Sequence, residues 1–249
     1  MFNKKFIGLG GLPRSGSTLL SSILSQNPDI HSEGNSAVCN LMWGMQQSCL
    51  IKDAQHLLAN NKLHAIYDLV GSIPNIYYKN VTSSIVIDKC RSWPLEDNVK
   101  LLMTYFNQPP KVIVLERPLI EVVKSFMLLR QENNWPGHLE EDLLDDWSEP
   151  IIRSLNGIKW AKKNNKGQFL FVQYDDLVNN TKEVIKKIYE FCEIEHFEHH
   201  FDNIVNKYPE NDEVYGLLGQ HHVRPTISKR VLNIKVSKKT IKRCAELDL

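Results

Sequence analysis

No stretch of this chain approaches the ~18 consecutive apolar residues that a membrane-spanning helix needs. The longest apolar run near the start, Phe6 to Leu12, contains three glycines and runs into Pro13 and Arg14. Neither a secretory leader nor a membrane span is therefore expected. The five cysteines, Cys39, Cys49, Cys90, Cys192 and Cys244, are odd in number and show no C-x-x-C spacing. That argues against a disulfide framework or a thiolate metal site, and leads to an expectation of reduced, buried thiols in a cytoplasmic protein. Charge of one sign is not in excess either: 30 Lys and Arg stand against 29 Asp and Glu, a net charge of +1. The whole surface then has no pull toward nucleic acid or an anionic membrane, and any bound anion must be held by a local site.

Internal repeats, low-complexity tracts and Gly/Ser/Pro-rich linkers are missing as well, so the 249 residues are read as a single domain, 1–249. What is present is ordinary globular material, 42% apolar and 24% charged. Four short runs rich in Ile, Val, Leu and Phe read as buried strands: Lys5–Leu9, Ser84–Asp88, Lys111–Leu115 and Phe169–Val172. Their near-continuous apolarity suits parallel strands covered on both faces. Helical periodicity follows in Ser17–Ser25, Ile120–Leu129 and Lys182–Cys192, with Thr181 the expected N-cap of the last. Such alternation predicts an α/β layer fold. The stretches 37–81 and 131–149 fall outside it and read as helical insertions over the sheet.

The first strand empties into Gly10-Gly11-Leu12-Pro13-Arg14-Ser15-Gly16-Ser17-Thr18, followed at once by a helix. A strand, a glycine-rich turn and a helix N-terminus aim backbone N–H groups and the helix dipole at an anion. Against the phosphate-loop pattern G-x-x-x-x-G-K-[ST], Gly11, Gly16 and Thr18 fit, but Ser17 stands where lysine is expected. ATP hydrolysis and kinase chemistry rely on that lysine together with Mg²⁺. A phosphosulfate, whose terminal group carries one charge and needs no metal, suits amides, hydroxyls and Arg14 better. A second anion-binding element is read at the end of the third strand, in Leu115-Glu116-Arg117-Pro118, with Ser125 about two helical turns beyond. Together the two elements suggest a ligand phosphorylated at two places.

On these residues the chain resembles the PAPS-dependent sulfotransferase superfamily, in its bacterial and tyrosylprotein-sulfotransferase-like branches. Gly11 to Leu20 resembles the 5′-phosphosulfate loop, and Arg117 with Ser125 the 3′-phosphate motif. Asp88-Lys89-Cys90-Arg91, Val172 to Leu177 and Val223 to Arg230 resemble further motifs of the family. The resemblance implies a P-loop NTPase-like three-layer α/β fold with a central parallel sheet and helical insertions. It implies sulfuryl transfer from 3′-phosphoadenylyl sulfate (PAPS) to an acceptor hydroxyl or amine by in-line displacement, with PAP as product and no metal. Cofactor binding falls to Arg14, Ser15, Gly16, Ser17, Thr18, Arg117, Ser125, Tyr174, Ser228 and Lys229, with Arg224 and Lys235 as further basic candidates.

Arg14, Lys89 and Glu33 are the expected catalytic residues. Lys89 would stabilise developing charge and Glu33 would act as base, with His31 as runner-up; an ungapped register puts the base position on Asn35 instead. His196, His199 and His200, and the doublet His221-His222, have spacings that could hold a metal, but no paired carboxylate or cysteine pattern accompanies them and no metal is expected. Trp135, Trp147 and the acidic run 140–146 read as an amphipathic lid whose charge favours a basic or uncharged acceptor. The acceptor, whether small molecule, carbohydrate or peptide, is left open, and no nucleic acid or membrane partner is expected. A nucleotide-binding module without chemistry and a kinase-like phosphotransferase are the alternative readings.

Overall fold

A computed structural model describes residues 2–51, 53–135, 140–145 and 149–248. Strands β1 (Lys5–Gly11), β2 (Ile30–His31), β3 (Ile85–Lys89), β4 (Val112–Glu116) and β5 (Phe169–Gln173) form a sheet in the order β2-β3-β1-β4-β5. Every pairing is parallel, with Leu9 opposite Lys89, Gly11 opposite Leu115 and Glu116 opposite Gln173. All strands therefore end on one edge, and their order reverses direction around β1. That switch point is where open α/β sheets bind ligands.

The helices are α1 (Ser17–Leu24), α2 (Val38–Ile51), α3 (Ala54–Ala59), α4 (Leu63–Tyr77), α5 (Glu96–Tyr105), α6 (Leu119–Glu132), α7 (Ser154–Lys163), α8 (Tyr174–Asn179), α9 (Thr181–Cys192) and α10 (Lys238–Leu247). They cover both faces of the sheet, which gives the P-loop NTPase-like three-layer α/β fold. Alternate strand residues point to opposite faces. Ile7, Leu9, Ile87, Ile113 and Leu115 pack against α1, α8 and α9. Phe6, Val86, Val112 and Val114 face the other core, with α2, α4, α5, α6, α7 and α10.

The insertion at 37–81 is helical, as expected, and forms α2 to α4. Some local readings are corrected. Thr181 opens α9 rather than capping it; Asn180 is the N-cap, and the Thr181 hydroxyl donates back to the Leu177 carbonyl at 2.7 Å. Residues 140–145 are not a lid: Leu143 and Leu144 are buried in the core, and the Glu140 carboxylate accepts from Ser237 N at 2.8 Å, next to α10. Asp146 and Trp147 lie outside the described residues. Residues 193–237 form a long irregular segment with one 3₁₀ turn, Asp212–Tyr215; it starts beside Lys5 and Lys111 and brings Glu210 and Gln220 to Lys89 and Arg14 at the strand ends.

Candidate active site

The loop after β1 is built by three residues with positive φ: Gly11 at 122°, Arg14 at 59° and Gly16 at 92°. A Cβ on Gly11 would stand 2.1 Å from the Leu115 carbonyl oxygen, so only glycine fits between β1 and β4 there. Arg14 holds a left-handed conformation that costs a non-glycine residue about 1–2 kcal/mol. Strain of that kind clusters at functional sites. The Ser15 hydroxyl turns inward and donates to the Leu12 carbonyl, which ties the loop closed. Gly16 is the N-cap of α1; no side chain caps this end and no acidic residue occupies its first turn. The first N–H groups of α1 thus remain available to an anion.

Arg14 and Arg117 converge on this loop. Arg14 Nε donates to Ser125 Oγ at 3.1 Å, and its Nη1 to the Gln220 carbonyl. Arg117 Nη1 donates to the Arg14 carbonyl at 2.8 Å and its Nε to Glu121 at 3.0 Å, while its guanidinium lies over the Tyr174 ring, 4.1 Å from the centroid. Its remaining Nη2 is buried with no hydrogen-bond partner among the described residues. Burial, and then the charges of Arg230 and Arg117, bring the Arg14 pKa down to about 10. Guanidinium groups crowded in this way gain from an added anion.

On the other side of β1, Lys89 at the end of β3 is buried. Its Nζ lies 3.2 Å from Thr18 Oγ1 and 3.0 Å from Glu210 Oε1. The lysine absent at position 17 is thus supplied to the loop by the neighbouring strand. Burial holds the Lys89 ammonium below its ordinary pKa, against the opposing charge of Glu210. Burial also raises Glu210, but Lys89 outweighs it and leaves that carboxyl below the usual range. Asn35 Nδ2 reaches Glu210 Oε2 at 3.0 Å and His221 Nε2 at 3.3 Å. His221 Nδ1 meets Asp212 Oδ1 at 2.6 Å, and its backbone N–H donates to Asp212 Oδ2 at 3.0 Å. Burial lowers the His221 pKa despite Asp212 and Glu210. With Nδ1 against the Asp212 carboxylate, Nδ1–H is the donor and Nε2, 3.3 Å from Asn35 Nδ2, is the acceptor nitrogen.

One cavity joins these groups. Arg14, Gly16, Ser17, Thr18, Lys89, Arg117, Ser125, Tyr174 and Ser228 line it, together with Asn35, Arg91, His221, Arg224 and Arg230. Other expected residues lie elsewhere. Glu33 does not line the cavity; its carboxylate is 3.1 Å from His31 Nε2, whose ring packs on Tyr78 and Tyr208. Lys229 turns to Asp175 at 2.8 Å and Glu121 at 3.0 Å, so it braces Arg117's partner rather than lining the space. Lys235 is exposed and away from the lining. His199 bonds Tyr189 at 2.9 Å while His196 lies beside Glu198. Glu210, Asp212 and Tyr215 were not legible beforehand, because the segment carrying them has no periodicity. The one local signal near those three is the His221-His222 doublet.

A model of the Sulfotransferase family matches residues 7–199. Among solved structures, the sulfotransferase domain of the Synechococcus PCC 7002 olefin synthase superposes with a TM-score of 0.59 at 20% identity, covering 100% of this chain and 97% of that one. The sulfotransferase domain from the curacin biosynthetic pathway gives 0.59 at 17% identity, covering 99% and 98%. A sulfotransferase from Alicyclobacillus acidocaldarius gives 0.55 at 10% identity, covering 87% and 90%. At such identities the likeness is one of fold. No curated protein matches the chain.

Proposed function

The chain belongs to the sulfotransferase family, and from that premise we propose that it moves a sulfuryl group from PAPS to an acceptor hydroxyl or amine at the cavity between β1, β3 and β4. One observation carries the donor assignment: two cationic anion sites at adjacent strand ends, one of them holding the buried, unpartnered Arg117 Nη2. A donor with phosphates at its 5′ and 3′ ends matches that pair. The 5′ end would lie on the α1 N–H groups, Ser17, Thr18 and Arg14; the 3′-phosphate would lie on Arg117 and Ser125, with Ser228 near by.

Transfer requires the acceptor oxygen or nitrogen to bond to sulfur as the sulfur–oxygen bond to the 5′-phosphate breaks and its electron pair passes to the phosphate oxygen. Arg14, Lys89 and the helix terminus stand where that charge develops. The acceptor proton needs a base with a pKa near the working pH. We assign it to His221 Nε2, oriented by Asp212, rather than to Glu33, because His221 lines the cavity and Glu33 is engaged by His31. Residues 1–249 would act as one sulfotransferase domain, and the five buried free thiols favour a cytoplasmic setting. No helix among the described residues is long and apolar enough to cross a membrane.

Calorimetry with PAP against ATP·Mg²⁺, followed by sulfate transfer from radiolabelled PAPS to a mixed acceptor panel, tests the reading. Tight PAP binding with turnover is expected, and Arg14→Ala should abolish both. Preference for ATP·Mg²⁺ would overturn it.

A further inference from the structure

The donor reading leaves one half-buried cation of the cavity without a task or an ion-pair partner among the described residues. Arg91 stands two residues beyond Lys89 at the end of β3, is half-buried, and lines the cavity. Among the described residues its guanidinium makes no hydrogen bond or ion pair. The other cations are satisfied differently. Lys89 faces Glu210, Arg230 pairs with Glu132, Arg117 with Glu121, and Arg14 is held by Ser125 and Gln220. Arg224 also lacks a partner among the described residues, but it is exposed. It follows Val223, which packs on the α1 and α9 face.

Position separates Arg91 from the donor. The two phosphate sites occupy the ends of β1 and β4, and β3 lies on the opposite side of β1 from β4. At a strand spacing of about 4.8 Å, the ends of β3 and β4 are roughly 10 Å apart. In-line displacement puts the acceptor across the sulfur from the leaving phosphate, on the side of its base, His221. Arg91 is near enough to Lys89 and Tyr215 for its charge to act on both.

Resting on the sulfotransferase reading, we infer that Arg91 is the acceptor-recognition residue, and that the acceptor carries an oxyanion, a carboxylate or a phosphate, beside the group that is sulfated. A planar guanidinium with its donors unclaimed binds either anion in a forked geometry. Glu210 does not oppose such a ligand, because Lys89 neutralises it. The acidic run at 140–145, which would have favoured a basic acceptor, does not line the cavity.

The test titrates protein already saturated with PAP, so that the phosphate sites are filled, with benzoate, phenyl phosphate and neutral benzamide. An anion is expected to bind at least about tenfold more tightly than benzamide, a preference of about 1.4 kcal/mol. Benzoate against phenyl phosphate tells which oxyanion is preferred. Arg91→Gln should erase the preference, Arg91→Lys should restore part of it, and PAP affinity should stay within about threefold in both. Three results would overturn the inference alone: no anion preference in the unaltered protein, a preference that survives Arg91→Gln, or a large loss of PAP affinity in Arg91→Gln, which would assign Arg91 to the donor. Failure of the unaltered protein to bind PAP would sink the sulfotransferase reading and this inference with it.

Discussion

Asp88, next to Lys89 in β3, is a fully buried carboxylate. It accepts from Trp93 Nε1 at 2.6 Å, from Tyr78 Oη and from Ser36 Oγ. Burial raises its pKa against those three donors, so the residue works as a bolt for the end of β3 rather than as an acid or base in the cavity. Asp88→Ala would leave three buried donors unpaired and is expected to cost about 3–5 kcal/mol in urea unfolding. His221 is the residue on which turnover should depend most. His221→Gln is expected to lower kcat by about 10²–10⁴ with PAP affinity kept, whereas Glu33→Gln should change kcat by less than about threefold. The pH profile carries a sign. A lowered His221 pKa means the neutral base persists below the ordinary imidazole value, so the acidic limb of kcat/KM should fall below about pH 6.5. Asp212 raises that pKa, so Asp212→Asn should move the limb to still lower pH while reducing kcat. An unmoved limb would contradict the dyad.

The decisive element is the turn from β1 into α1. Gly11 combines a φ that side chains rarely adopt with contact against the β4 backbone, where nothing soft can give way. Gly11→Ala should therefore destabilise the fold by more than about 2 kcal/mol and remove PAP binding, as read by a denaturant melt and calorimetry. The strands of this layer were legible nearly in full from their apolar runs. β1, β3, β4 and β5 each extend one or two residues beyond the apolar stretch, into Gly10-Gly11, Lys89, Glu116 and Gln173. Of those ends, Gly11 shapes the loop and Lys89 lines the cavity, while Gln173 donates to Glu116; all are polar or glycine, which is why hydrophobicity stopped short of them. β2, with two residues, is too short to carry a pattern, and its place beside β3 comes from pairing alone.

At the scale of the molecule, stability and ligand binding are coupled through residues 193–237. This segment lays Glu210 on Lys89, Gln220 on Arg14 and Leu218 on Asn133, where Leu218 N donates at 2.8 Å. Saturating PAP should raise the unfolding free energy by about 2.7 kcal/mol at a hundredfold excess over Kd, with the gain shrinking as salt is added, because the attraction is between charges. A melting temperature indifferent to PAP and to salt would remove the cationic cavity from the account. The five cysteines are buried and free, so thiol reagent should titrate all five only after unfolding.

By itself the sequence determined the layered sheet and the glycine-rich turn into α1, since both rest on local spacing: apolar runs of strand length, glycines at 11 and 16, and arginines just past two strands. The loop half of the candidate site follows from those few residues. Only the tertiary structure decided the other half. Lys89 finds Glu210 across 121 positions of chain, and Asn35 finds His221 across 186. A segment without helix or strand leaves no periodic trace of which side chains it will bring to the edge of the sheet. Its contacts are chosen by burial and charge once the chain has folded back on itself.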